Sequence, residues 1–125
     1  MSRGDPAVLV DAENVRRSTW PNIAPAELVE LVAVWAADEG CRAVVVFDGQ
    51  APAVDVGDAP VEAVSTGGES ADDWIAREAG KLRQRQARFR LVTSDRELRE
   101  RAGPGAERVT GGGAFARALL ARRPG

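Results

Sequence analysis

Apolar and polar positions form two kinds of segment along the chain. The short continuous apolar run Ala7–Val10 is typical of a strand buried on both faces of a sheet, and Arg42–Phe47 is the clearest predicted strand. Longer segments carry apolar residues at helical spacing, and Pro25 and Gly40 mark the start and end of the first helix. The remaining predicted elements are a strand at Val61–Ser65, a helix at Ser70–Gln86, a strand at Phe89–Thr93, a short helix opened by a capping box at Ser94–Glu97, an edge strand at Glu107–Thr110 and a closing helix at Ala114–Arg122.

The order of these elements predicts the fold class. Strands separated by helices pair in parallel through right-handed crossovers. We therefore expect an α/β fold, a three-layer α/β/α sandwich with a mostly parallel central sheet of four to five strands. No internal repeat or linker is visible in the sequence, and 125 residues suit one domain, so residues 1–125 are predicted to form a single domain.

The composition removes several classes of chemistry. The chain has no histidine and a single cysteine, Cys41, which excludes an internal disulfide, histidine general bases and Cys/His zinc clusters. A metal would therefore be held by oxygen ligands, which suit Mg²⁺ or Mn²⁺. The apolar run Ala7–Val10 is too short for a signal-peptide core or a membrane span, so we expect a cytoplasmic protein without a membrane partner.

Six acidic residues fall near the carboxyl ends of the predicted parallel strands, where ligands bind in open α/β sheets. They are Asp11, Asp48, Glu69, Asp72, Asp73 and Asp95. Crowded carboxylates repel each other unless cations neutralise them, so this convergence predicts a divalent-metal site. Setting these acids aside raises the net charge from −2 to about +4, which is compatible with a phosphate-binding rim.

Each acid also has a structural explanation when taken alone. Asp72 and Asp73 in a first helical turn offset the helix dipole, and Asp95 is placed to cap a helix. Asp48 precedes a glycine in an ordinary turn signal. Asp11 is the hardest to explain structurally because it closes a buried strand. The metal-site prediction therefore depends on the convergence of the acids.

Four segments of the chain resemble, in order, the motifs of NYN domains in the PIN-like nuclease superfamily, most closely the YacP-like branch. The segments are Val8–Val15 (VLVDAENV), Val46–Asp48 (VFD), Gly68–Ile75 (GESADDWI) and Val92–Arg96 (VTSDR). The resemblance spans Ala7 to Ala102. One departure is Ala12-Glu13, where YacP-like proteins usually have Gly-Tyr.

The resemblance implies a metal-dependent ribonuclease that hydrolyses RNA phosphodiester bonds. The family's metal-binding aspartates fall on Asp11, Asp72 and Asp95, which would hold one or two Mg²⁺ or Mn²⁺ ions. Its asparagine falls on Asn14, which would orient the loop after the first strand or hold a water on the metal. The accessory acids of the same pocket would be Asp48, Glu69 and Asp73.

The expected partner is RNA, with ribosome-associated mRNA, tRNA and rRNA as candidates. Arg16 and Arg17 are predicted to lie in the loop after Asp11 and to bind phosphates. Trp20 either stacks on an unpaired base or packs over the mouth of the sheet. Thr93 and Ser94 either donate hydrogen bonds to a phosphate or cap a helix. The oligomeric state is left open by the sequence.

Three alternative functions are compatible with parts of this pattern. A catalytically silent NYN domain that binds RNA or a protein would have nearly the same sequence. A haloacid dehalogenase-type phosphatase requires Asp-x-Asp after the first strand, whereas residue 13 is a glutamate. A Rossmann nucleotide-binding domain requires Gly-x-Gly-x-x-Gly at that point, and the chain lacks it. The silent domain is the main rival.

Overall fold

The computed structural model of the protein describes residues 5–123, which contain five strands and five helices. The strands are β1 (Ala7–Asp11), β2 (Arg42–Phe47), β3 (Val61–Ser65), β4 (Phe89–Val92) and β5 (Arg108–Thr110). The helices are α1 (Ala12–Arg16), α2 (Pro25–Glu39), α3 (Ala71–Gln84), α4 (Arg96–Ala102) and α5 (Gly112–Ala121). The five strands form one sheet in the order β3-β2-β1-β4-β5, and every neighbouring pair is parallel.

The sheet is covered by helices on both faces, which confirms the predicted α/β sandwich. Alternate residues of β1 point to opposite faces. Val8 and Val10 pack in a core with α1, α2 and α5, whereas Ala7 and Leu9 pack in a second core with α3 and α4. The sheet is wholly parallel, and its three-residue fifth strand lies at the edge beside β4.

Two helix starts differ from the sequence prediction. The N-cap of helix α4 is Asp95, one residue after the Ser94 predicted from the capping box. The Asp95 Oδ1 accepts a hydrogen bond from the Leu98 N–H at 2.9 Å. The Ser94 hydroxyl oxygen instead accepts from the Gly112 N–H at 2.8 Å. This contact lies at the start of α5, which begins two residues before the predicted Ala114.

The short helix α1 was not predicted, and it changes the position of one candidate residue. It follows β1 without a loop and is only five residues long, too short for a helical apolar pattern to be visible. Arg16 is therefore in a helix, whereas Arg17 begins the connection to α2. By contrast, the predicted start of the long crossover helix is confirmed, since the Ser70 hydroxyl oxygen accepts from the Asp73 N–H at 3.1 Å.

The strand order creates a crevice beside the central strand. The chain leaves β1 to form β2 and β3 on one side, and helix α3 then returns it to β4 on the other side. In open α/β sheets such a reversal places a ligand-binding crevice at the carboxyl ends of the strands, here those of β1 and β4.

Within residues 5–123, no helix is both long and apolar enough to cross a membrane.

Candidate metal centre and active site

Asp11 is the buried acid of the crevice. It ends β1, and strand alternation places it on the same face as Ala7 and Leu9, toward α3 and α4. Its side chain accepts a hydrogen bond from the Thr93 hydroxyl at 2.9 Å, and the residue is only 7% exposed. Burial raises the pKa of the Asp11 carboxyl to about 6. The Thr93 hydrogen bond opposes this shift, and the charge of Asp72 adds to it.

Thr93 holds Asp11 in place and is fully buried. Its hydroxyl oxygen accepts from the Asp95 N–H at 3.1 Å while its proton goes to Asp11. Its carbonyl oxygen accepts from Arg99 Nε at 2.8 Å. The hydroxyl therefore connects the end of β1 to the start of α4 and, in this arrangement, does not face the cleft.

Three further aspartates lie at the same edge of the sheet as Asp11. Asp72 lies in the first turn of α3, and burial, followed by the charges of Asp95 and Asp48, raises the pKa of its carboxyl. Asp48 follows β2 and accepts a hydrogen bond from the Ala71 N–H at 2.7 Å. Asp95 caps α4. The ends of β1 and β2 and the start of α3 thus bring Asp11, Asp48 and Asp72 to one cleft, and the charge of Asp95 reaches Asp72 from the start of α4.

Asp11, Asp48 and Asp72 border an open cleft of about 450 Å³, whereas the predicted ligand Asp95 is not among its lining residues. The lining residues are Asp11, Glu13, Asn14, Arg17, Ser18, Asp48, Asp72 and Ser94. Two of them, Glu13 and Ser18, were not predicted as site residues. Glu13 could have been identified from its position two residues after Asp11, whereas Ser18 reaches the cleft only through the unpredicted turn after α1.

Two of the predicted accessory acids do not line the cleft. Both carboxylate oxygens of Glu69 accept hydrogen bonds from Arg77, and this pairing lowers the pKa of Glu69. Asp73 accepts from Arg101 at 2.9 Å. Their charges are therefore already balanced by arginines of the same chain.

Asn14 belongs to a chain of hydrogen bonds that links α1 to the starts of α4 and α5. Its Oδ1 accepts a hydrogen bond from the Ser94 N–H at 2.8 Å, and Ser94 in turn accepts from the Gly112 N–H. A Cβ at Gly112 would lie 2.2 Å from Asn14 Oδ1, so any other residue there would require the Asn14 side chain to shift. Gly112 was missed by sequence reasoning, although the run of three glycines in which it lies was a signal.

The three predicted substrate contacts that follow Asp11 lie in different environments. Arg16 is engaged internally, with its guanidinium donating to Glu13 and to the Ile23 carbonyl, each at 2.7 Å. Arg17 lines the cleft with 71% of its side chain exposed. Trp20 is 90% exposed, so the interpretation that it packs over the mouth of the sheet is wrong. The reason is that Ile23, not Trp20, fills the core at this end of the sheet.

The donor set fits a hard divalent cation that retains water. Within the described part of the chain, no three Asp, Glu, Cys or His side chains are close enough together to form a complete metal cage. Mg²⁺ usually binds through only one or two carboxylates and keeps several waters, so such a cage is not required. Asp11 and Asp72, which are buried enough for their pKa values to rise, are suited to this role.

An all-parallel α/β sandwich with acids at its carboxyl edge has the features of a PIN-like domain. The chain belongs to the YacP-like NYN domain family, a PIN-like nuclease family, since the family profile matches residues 10–119. A comparison with curated proteins finds no match.

Solved structures share the fold. The chain is similar to the crystal structure of Rae1 (YacP) from Bacillus subtilis, with a TM-score of 0.71 and 22% identity over 92% of this chain and 74% of that one. A tryptophan-to-leucine mutant of the same B. subtilis protein gives a TM-score of 0.66 and 20% identity, over 93% of this chain and 76% of that one.

Proposed function

We propose that this protein is a metal-dependent ribonuclease that hydrolyses RNA phosphodiester bonds in the acidic cleft. The observation that carries the proposal is the electrostatic environment of the Asp11 and Asp72 carboxyls. The pKa of each carboxyl is raised by burial and by neighbouring acids, and among residues 5–123 neither forms an ion pair with a basic side chain. Such carboxylates are suited to bind an external cation, and in a member of a nuclease family that cation would take part in phosphodiester hydrolysis.

The proposed ligands are Asp11, Asp72 and Asp95, assisted by Asp48. When bound there, Mg²⁺ or Mn²⁺ would supply a water of lowered pKa and neutralise charge on the phosphate. Glu69 and Asp73 have no direct role in this proposal because Arg77 and Arg101 already neutralise them.

The other residues of the site position these acids and the substrate. Thr93 fixes the Asp11 carboxylate through its hydrogen bond, and Asn14 fixes the turn at Ser94. Arg17, whose guanidinium is 3.5 Å from Glu13, is the exposed cation of the cleft lining and is suited to bind a phosphate of the RNA backbone. RNA is the proposed partner, with mRNA on the ribosome, tRNA and rRNA as candidate pools.

The rival is a catalytically silent NYN domain that binds RNA or a protein. It is favoured by the fact that, across residues 5–123, no three potential ligands are gathered closely enough to enclose a metal ion. A silent domain retains the fold and the cleft but does not need to bind metal.

RNA cleavage distinguishes the two functions. The purified protein would be incubated with single-stranded and structured RNA, with and without Mn²⁺, beside Asp11→Asn and Asp95→Asn. Asparagine also caps helices well, so Asp95→Asn should keep α4 folded. We expect cleavage that requires Mn²⁺ and is lost in both variants. Cleavage that survives both substitutions contradicts the site assignment, and no cleavage of any RNA favours the silent domain.

A further inference from the structure

The connection between α1 and α2 is a loop with a fixed base. Arg16 and Ile23 pair reciprocally, since Arg16 Nε donates to the Ile23 carbonyl at 2.7 Å and the Ile23 N–H donates to the Arg16 carbonyl at 3.2 Å. Ile23 is buried in the core. Both ends of the intervening segment, residues 17–22, are therefore held against the body of the protein. We call this segment the Trp20 loop.

Hydrogen bonds also order the interior of the Trp20 loop. The Ser18 N–H and hydroxyl both donate to the Val15 carbonyl, at 3.2 and 2.6 Å. The Thr19 hydroxyl donates to the Pro21 carbonyl at 3.1 Å, across the residue between them. The loop is therefore preorganised rather than dependent on a ligand for its shape.

This ordered loop borders the acidic cleft and carries an exposed aromatic side chain. Among the described residues, Trp20 is the most exposed large apolar side chain, at 90%. Arg17 and Ser18, three and two residues earlier, line the cleft. An indole held in water by an ordered backbone is an available stacking surface, and the loop that carries it also contributes a cation, Arg17, to the cleft lining.

We propose that the Trp20 loop is a stacking site for one unpaired RNA base, with Arg17 bound to the backbone phosphate that leads from this base into the cleft. The inference rests on the proposed function for the identity of the substrate as RNA. A base within a duplex has both faces covered by its neighbours, so the site takes an unpaired nucleotide.

The surroundings of Trp20 favour a base over a protein surface as the occupant. Protein-binding patches are contiguous apolar areas. The other exposed large apolar residues found in the described part of the chain, Val34 and Val109, lie on α2 and β5 and not in the loop. Apart from Trp20 and Pro21, the loop itself consists of the polar or charged residues Arg17, Ser18, Thr19 and Asn22. A single ring with polar and cationic neighbours matches one base and its phosphate.

Binding of short RNAs tests this site without depending on cleavage. The full chain carrying Asp11→Asn, which keeps the RNA intact, would be titrated into a labelled single-stranded RNA and followed by fluorescence anisotropy. Adding Trp20→Ala should weaken binding about 5- to 100-fold, the range for loss of one base stack. Trp20→Phe should recover most of the affinity, and Val34→Ala, an exposed apolar control, should not change it.

A scan with an abasic nucleotide identifies the stacked base. One position of the abasic nucleotide should weaken binding to the Trp20-containing protein and have no effect on the Trp20→Ala protein, because the two changes remove the same contact. The inference is overturned if Trp20→Ala binds RNA as tightly as its parent, or if every abasic position affects both proteins equally.

The two proposals fail separately. Cleavage by the natural sequence together with Trp20-independent binding overturns the stacking site and leaves the nuclease proposal intact. Binding that depends on Trp20 supports the stacking site even where no RNA is cleaved, and in that case the nuclease proposal is the one that fails.

Discussion

The acidic side chains at the two edges of the sheet differ in whether basic residues of the chain neutralise them. At the amino edge, Glu107 accepts from Arg88 Nε at 2.7 Å and from Arg90 Nε at 3.1 Å, and the Arg88 hydrogen bond is the main cause that lowers the pKa of Glu107. At the carboxyl edge, burial is the main cause that raises the pKa values of Asp11 and Asp72. The amino edge is neutralised within the chain, whereas the carboxyl edge has negative charge available for an external cation.

The same contrast separates adjacent residues of α3. Asp73 pairs with Arg101 at 2.9 Å, whereas Asp72 lines the cleft beside Asp48. Both residues lie in the first turn of α3, and the family resemblance alone made Asp72 the predicted ligand and Asp73 an accessory acid. The ion pair between Asp73 and Arg101 of α4 gives a physical reason for that difference. This pair therefore offers the sharpest test of the contrast.

The largest expected effect is on cleavage by Asp72→Asn. Loss of a metal ligand removes several kcal/mol of charge stabilisation, so the rate of RNA cleavage in Mn²⁺ should fall about 1,000-fold. Asp73→Asn is the matched control and should stay within a few-fold of the natural sequence, because it removes an exposed ion pair. Equal losses in both variants would contradict the distinction between the two aspartates.

The next effect is on the stability of the metal-free protein. The folded-state pKa of Asp11 is about 6 against an ordinary 3.8, so the folded state holds the proton more tightly than the unfolded state. Stability is therefore lost as pH rises from about 4 to about 6, by up to about 3 kcal/mol.

Asp11→Asn removes this penalty. In buffer with a chelator it should be more stable than the natural sequence at pH 8, with the difference disappearing near pH 4, as measured by urea unfolding. Asp58→Asn, at an exposed loop position, is the control for the loss of one negative charge without a change in burial. A stability difference that is constant with pH would show that burial of the Asp11 charge is not its cause.

A smaller effect is expected at the start of α5. In Gly112→Ala the new methyl group would lie 2.2 Å from Asn14 Oδ1, so the Asn14–Ser94 hydrogen bond must shift, at a cost of about 1–3 kcal/mol in stability. Gly113→Ala is the matched control, because its nearest neighbour, Arg117 Nη1, is 3.6 Å away. Thermal unfolding of both variants measures the difference, and equal melting temperatures would exclude a tight fit at Gly112.

The smallest effect is expected at the amino edge. Glu107→Gln weakens ion pairs to Arg88 and Arg90 that are partly exposed, so it should cost less than about 1 kcal/mol, and less again at high salt. Cleavage should be unchanged, since the residue lies at the opposite edge from the cleft. A large loss of cleavage in this variant would mean that the two edges are coupled.

The strands and their parallel arrangement were predictable because the signal for each is local. Residues 7–10 and 43–47 are continuous apolar runs, and strands buried on both faces produce that pattern. The convergence of Asp11, Asp48 and Asp72 followed from the same prediction, since residues after parallel strands and before crossover helices meet at one edge.

The remaining features depend on contacts between distant residues. Ser94 does not cap α4, because it contacts Gly112, 18 residues later. Glu69 is withdrawn from the acidic group by Arg77, and Trp20 is exposed because Arg16 and Ile23 fix the loop around it. Arginine partners and loop anchors leave no periodic pattern in the sequence, so only the packed structure reveals them.

The most direct measurement is a Mn²⁺ titration of the purified, chelator-treated protein, with free Mn²⁺ followed by electron paramagnetic resonance. Asp11→Asn, Asp72→Asn and Glu69→Gln would be titrated in parallel. If the unpaired acids of the cleft hold the cation, the natural sequence binds Mn²⁺, the two aspartate variants bind at least about 10-fold more weakly, and Glu69→Gln binds normally. No binding by the natural sequence, or equal binding by all four proteins, would contradict the proposed metal centre.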